Sequence, residues 1–112
     1  MRFILPWQVE VFVPLLNRFV KAKIDTGAEN SSLYLPGHVL DTIEITKTVK
    51  ISNSNGVRGG VPQVIIPITM PQPIGIRQVK VNVADRELLK FEMILGRSAL
   101  TNILVDVGSC SD

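Results

Sequence analysis

The 112 residues contain one cysteine, Cys110, and one histidine, His38. A single cysteine cannot close a disulfide within the chain, which favours a reducing compartment. One cysteine and one histidine also cannot supply the four soft ligands of an ordinary structural zinc site. Aromatic residues make up 5% of the chain, and the 12 basic and 10 acidic residues are scattered without a run. The concentrated basic face and the stacking platforms used to grip nucleic acid are therefore absent. No long apolar run occurs either. The first segment, Met1 to Leu16, is interrupted by Pro6, Gln8, Glu10 and Pro14, which spoils both a signal-peptide core and a membrane span of about 20 apolar residues. The expectation is a soluble, cytoplasmic protein that binds neither nucleic acid nor membrane. There is no Gly-x-x-x-x-Gly-Lys-Ser/Thr loop and no His-Glu-x-x-His pair, so no cofactor, nucleotide or metal, is expected. No stretch of helical periodicity runs beyond about two turns.

What is present is strand punctuation. At 46% hydrophobic and 20% charged residues, the chain has the composition of one globular domain spanning residues 1–112. A chain of this length buries about 65% of its unfolded surface, a thin core that a partner subunit would help. Val9, Val11 and Val13 alternate with polar or outward positions, as do Val20, Ala22 and Ile24, around a turn at Pro14 to Arg18. Further strands are expected at Ser31 to Leu35, Ile43 to Ile51, Pro62 to Ile68, Val79 to Val83, Phe91 to Leu95 and Ile103 to Val107. The dense turn signal at Ser52 to Gly60 implies a long hairpin, Thr46 to Ile68, with a polar tip at Asn53 to Gly60. The single candidate helix is short, from Arg97 or Ser98 to Asn102. Many short strands with frequent proline and glycine indicate an all-β barrel or sandwich.

The stretch most informative for chemistry is Ala22-Lys23-Ile24-Asp25-Thr26-Gly27-Ala28, an alternating strand that runs directly into Asp-Thr-Gly. A carboxylate at a strand end is held rigidly by the sheet, while a glycine two residues on lets the backbone turn and leaves space beside it. Thr26 is placed to anchor that turn through its hydroxyl. The tripeptide alone is weak, arising by chance in roughly one chain of this length in fifty. About seventy residues later the design recurs, with Phe91-Glu92-Met93-Ile94-Leu95, then Gly96, then Arg97-Ser98-Ala99-Leu100.

Asp-Thr-Gly-Ala paired with apolar-apolar-Gly and a short helix, with a glycine-rich hairpin between them, resembles a retropepsin subunit. More narrowly, residues 7 to 109 resemble a prokaryotic cellular retropepsin-like family that carries the label ATP-dependent zinc protease. The matching stretches are Ala22 to Ala28 with Ser31-Ser32-Leu33, and Ile94 to Leu100 with Leu104-Val105-Asp106-Val107-Gly108. Glu29 and Tyr34 depart from that pattern, where a basic residue and a histidine are usual, which bears on substrate preference. The resemblance implies a closed acid-protease barrel with one short helix and a flap hairpin. It also implies an aspartic endopeptidase with Asp25, Thr26 and Gly27 as the catalytic triplet. Ala28, Glu29, Val57, Arg58, Gly59 and Gly60 would line the substrate, an extended peptide or protein. It places Glu29 near Arg97, where an ion pair would brace the site. The family further hints at a partnership with an ATP-grasp glutamate ligase and acidic peptide tails.

Aspartic proteolysis uses two carboxylates that share one proton, and the sequence has one Asp-Thr-Gly. Two copies of Asp25 would have to meet on a two-fold axis, so the expected state is a homodimer whose folding is coupled to association. Retropepsin subunits often interleave their termini, here Met1 to Leu5 and Val105 to Asp112. A different class is a catalytically silent retropepsin-like domain that binds peptides or merely dimerises. Of the remaining residues, Trp7 is expected to pack near the N-terminus, His38 to sit in a loop and Cys110 to lie on an exposed tail.

Overall fold

The computed structural model describes residues 2–45, 47–53, 56–84 and 90–108, with backbone alone at 47–53 and 56–59. Among these residues the strands are β1 (Phe3–Pro6), β2 (Gln8–Val13), β3 (Arg18–Ile24), β4 (Ser31–Leu33) and β5 (Lys47–Asn53). They continue with β6 (Gly56–Met70), β7 (Gly75–Val83), β8 (Met93–Leu95) and β9 (Ile103–Asp106). One helix, α1, covers Gly37–Leu40, and 3-10 turns cover Pro14–Leu16 and Arg97–Ala99.

Six strands close into a barrel in the order β2-β3-β8-β4-β7-β6, and a pairing of Phe12 with Thr69 joins β6 back to β2. The period-2 pattern explains the closure. Val9, Val11 and Val13 of β2, Val20, Ala22 and Ile24 of β3, and Val64, Ile66, Ile68 and Met70 of β6 all turn inward and are buried. Leu33, Val79, Val81, Met93 and Leu95 complete the filling from the other three strands. Alternate residues point to opposite faces of a strand, so one apolar set per strand suffices to fill a small barrel.

Strand β6 is longer than any barrel strand needs to be because it serves two partners. Its first half pairs with β5, from Asn53 opposite Gly56 to Lys47 opposite Gln63, and its second half pairs with β7 from Gln63 onward. At the changeover Gln63 is only 2% exposed, and its Nε2 donates to Oδ1 of Asn82, its cross-strand neighbour, at 2.9 Å. A buried amide left unpaired would be costly, so this pair pins the register.

Several expectations are corrected. The hairpin arm stays paired from Lys47 opposite Gln63 to Asn53 opposite Gly56, so Asn53 and residues 56–60 of the expected tip Asn53–Gly60 lie in strands, while 54–55 lie outside the described residues. The extra residue is absorbed by a register shift between Lys50 and Ile51. The strand expected from Ile43 begins only at Lys47. Upstream of it α1 forms, ended by Asp41 N–H donating to Gly37 and the Thr42 hydroxyl donating to the Val39 carbonyl at 2.7 Å. The helix expected at 97–102 is one 3-10 turn, followed by Asn102 in the left-handed region at φ 62°. Strand β1, which the sequence reading missed, runs parallel to β9, with Phe3 opposite Ile103 and Pro6 opposite Asp106.

Candidate active site

Strand β3 delivers Asp25 with its backbone still held at the strand end. The Trp7 carbonyl accepts the Ile24 amide at 2.8 Å, and the Leu95 carbonyl of the parallel neighbour β8 accepts the Asp25 amide at 2.9 Å. The chain then turns at once. Oδ1 of Asp25 accepts the Gly27 N–H at 2.9 Å, and the Ala28 amide donates to the Asp25 carbonyl at 3.2 Å. The side chain therefore shapes its own turn and is oriented by it. A Cβ at position 27 would stand 3.2 Å from that same Oδ1, a tight contact that glycine avoids. Asp25 is half-buried, while Thr26 and Gly27 are exposed. The carboxylate has a fixed place at the edge of solvent.

The later Gly96 turn locks onto the Asp25 loop. The Arg97 amide donates to the Ala28 carbonyl at 2.7 Å and the Ser98 amide to the Glu29 carbonyl at 2.9 Å. The Gly96 amide donates to the hydroxyl of Ser31, which is fully buried, at 3.1 Å. No side chain fits at position 96, because a Cβ there would lie 2.5 Å from the Asn30 carbonyl oxygen and 2.9 Å from that of Ala28. The two stretches singled out in the sequence are thus one interlocked structure.

Thr26 anchors the loop differently from the expectation. Among the described residues its hydroxyl takes no hydrogen bond, and its carbonyl accepts Nη1 of Arg97 at 3.0 Å. Arg97 therefore braces Thr26 and makes no ion pair with Glu29, whose side chain is exposed. The ion pair found among the described residues lies elsewhere, between Arg18 and Glu92, with Nη1 of Arg18 3.0 Å from Oε1. Hydrogen bonding to Glu92 raises the Arg18 guanidinium above its ordinary range. Of the expected substrate-lining residues, Ala28 and Glu29 belong to the interlocked loops. Gly60 is exposed on β6, while Val57, Arg58 and Gly59 are described by their backbone alone.

Two positioning residues escaped the sequence reading. Ser31 was visible only as part of the Ser-Ser-Leu stretch, with nothing to say that its hydroxyl holds Gly96. Trp7 packs on Phe91 with ring centroids 6.1 Å apart, but its carbonyl, invisible in a side-chain pattern, is what holds β3. Beside the loop lies a groove of about 440 Å³. Thr26, Arg97, Leu100 and Val107 line it together with residues 103–105 of β9.

No family model matches the sequence, and no curated protein does. Solved structures do. A Legionella pneumophila protein of unknown function aligns over 96% of this chain and 95% of its own at 21% identity, with a TM-score of 0.69. The solution structure of the simian foamy virus (mac) protease aligns over 84% of this chain and 91% of its own at 15% identity, with a TM-score of 0.61. The six-stranded closed barrel, its hairpin arm and its one short helix give this chain a retropepsin-like fold.

Proposed function

We propose that the protein is a homodimeric aspartic endopeptidase in which Asp25 of each subunit contributes one carboxylate to a shared-proton pair. The observation that carries this reading is the Asp25 loop itself. A carboxylate held by the Gly27 amide, at a strand end, is locked from behind by a glycine turn that admits no side chain. Membership of the prokaryotic cellular retropepsin-like family belongs to the same reading and rests on Ala22 to Ala28 with Ser31-Ser32-Leu33, and on Ile94 to Leu100 with Leu104 to Gly108. One cysteine in the whole sequence is consistent with a cytoplasmic setting.

In the proposed reaction the ionised carboxylate takes a proton from a water held between the pair, and the water oxygen forms a bond to the scissile carbonyl carbon. The protonated carboxylate gives its proton to the carbonyl oxygen, producing a neutral tetrahedral diol. Collapse breaks the C–N bond as the newly protonated carboxyl gives its proton to the leaving nitrogen and the other, now ionised, carboxylate takes one from a diol hydroxyl, which becomes the product carbonyl and restores the shared proton. Water and two carboxyl groups balance the reaction, so no cofactor enters. Thr26 and Gly27 hold the carboxylate's geometry. Ala28 and Glu29 on the floor, with Val57, Arg58, Gly59 and Gly60 on the hairpin arm, would flank a peptide bound as an added strand.

Two close carboxylates do not both ionise, so cleavage against pH should trace a bell with two separated limbs. The test is peptide-library cleavage between pH 4 and 7 by the unaltered chain and by Asp25→Asn. Loss of all cleavage in a folded, dimeric Asp25→Asn supports the mechanism. Full activity in that variant, or no cleavage by the unaltered dimer, would leave the silent peptide-binding domain as the better reading.

A further inference from the structure

Strand β7 begins with its burial pattern reversed. Val79 and Val81 face the core and are buried, so by alternation Arg77 shares their face while Ile76 faces out. Ile76 is 73% exposed, whereas Arg77, opposite the fully buried Ile68, is half-buried. Burial alone would choose the opposite arrangement, with the apolar residue in and the charged one out. A guanidinium on the core-facing register has to find a partner. Arg77 finds it on the 3-10 turn at Arg97–Ala99, where its Nη1 donates to the Ala99 carbonyl at 3.1 Å. The last carbonyls of a helical turn lack an amide within it, and a cation there also suits the turn's dipole. The turn is thereby pinned at both ends. The Ser31 hydroxyl holds its start, at the Gly96 amide, and Arg77 holds its finish.

The same turn carries the Asp25 loop. Its Arg97 and Ser98 amides donate to the Ala28 and Glu29 carbonyls, and the Arg97 side chain reaches the Thr26 carbonyl. We infer that Arg77 is a positioning residue: from the barrel wall it fixes the 3-10 turn, and through that turn it fixes the place of the Asp25 carboxylate. It touches neither the substrate nor the reacting atoms. This rests on the endopeptidase reading for why the place of the carboxylate matters, since proton transfer through a trapped water tolerates little displacement. The reversed pattern of Ile76 and Arg77 then has a reason. A local rule of burial is broken where the strand meets the turn that supports the site.

Two variants separate positioning from plain stability. Arg77→Met keeps an apolar stem and removes the donor, whereas Arg77→Lys keeps a charged donor. Amide hydrogen exchange reads the turn without any substrate. In Arg77→Met the Arg97 and Ser98 amides should exchange at least about tenfold faster while those of β2 and β3 keep their rates, and Arg77→Lys should recover most of the protection. Unchanged protection at Arg97 and Ser98, or an equal loss throughout the barrel, would overturn the inference. Peptide cleavage is the second readout. The kcat per folded dimer should fall about tenfold in Arg77→Met with KM within about twofold, and Arg77→Lys should restore most of it. A lower melting point with kcat per folded molecule unchanged would make Arg77 a structural residue only and overturn the positioning role. Should Arg77→Met not fold, NMR of the unaltered chain decides, because a bonded guanidinium shows restricted rotation and a freely rotating one contradicts the inference. If the unaltered chain cleaves no peptide while exchange behaves as expected, the endopeptidase reading falls and the support of the Asp25 loop by Arg77 stands.

Discussion

Gly96 and Ser31 show how much of the site depends on groups that do no chemistry. A methyl group at position 96 would have to displace two backbone carbonyls of the Asp25 loop, and backbone yields far less readily than a side-chain tip. Gly96→Ala is expected to lower stability by about 2 kcal/mol or more, a melting point lower by on the order of 10 °C. Cleavage should fall further than folding, because the loop that shifts is the one carrying Asp25. Ser31→Ala strands a buried Gly96 amide without an acceptor and should cost about 1–3 kcal/mol by thermal melting. By contrast, Glu92→Gln breaks the Arg18 pair at a partly exposed position, and its effect should stay below about 1 kcal/mol. At this scale the sequence was legible where a residue type is itself the signal, as in Asp25-Thr26-Gly27. It was silent where a backbone carbonyl or a common hydroxyl does the holding, as with Trp7 and Ser31. Pairing Glu29 with Arg97 failed because a carbonyl, that of Thr26, competes for the guanidinium.

Among the elements, alternation predicted the barrel strands well, since each must bury one face. Val9 to Val13, Val20 to Ile24 and Val64 to Ile68 follow it residue by residue. Boundaries set by hydrogen bonding across the fold were harder to read. The hairpin tip was overestimated because Gly56, Gly59 and Gly60 look like a loop, yet they lie within β6, Gly56 opposite Asn53, Gly60 opposite Lys50 and Gly59 at the register shift between them. Strand β1 was missed because Phe3–Pro6 is short, contains a proline and gains its strand state only from β9, a hundred residues away. The pivot of β6 offers a direct test. Asn82→Ala removes the acceptor of the buried Gln63 amide and should lower the melting point by on the order of 10 °C. Pairing it with Gln63→Leu, which removes the stranded group, should recover most of that loss.

For the whole molecule, one barrel supplies a complete hydrophobic core and half of the proposed catalytic centre. A thin core alone would suggest that the chain needs a partner in order to fold. If folding is coupled to association, as the proposed dimer implies, the melting point should rise with protein concentration, and a concentration-independent melt of a clean monomer would count against it. Specific activity should climb with enzyme concentration over the same range. The central claim, that catalysis needs Asp25 from two chains at once, is tested most directly by mixing unaltered chain with Asp25→Asn at constant total concentration, well above dissociation, and measuring peptide cleavage. Random pairing makes active dimers only from two unaltered subunits, so an equal mixture should retain about one quarter of full activity. Retention of about one half would mean that each chain works alone, and would contradict the shared active site.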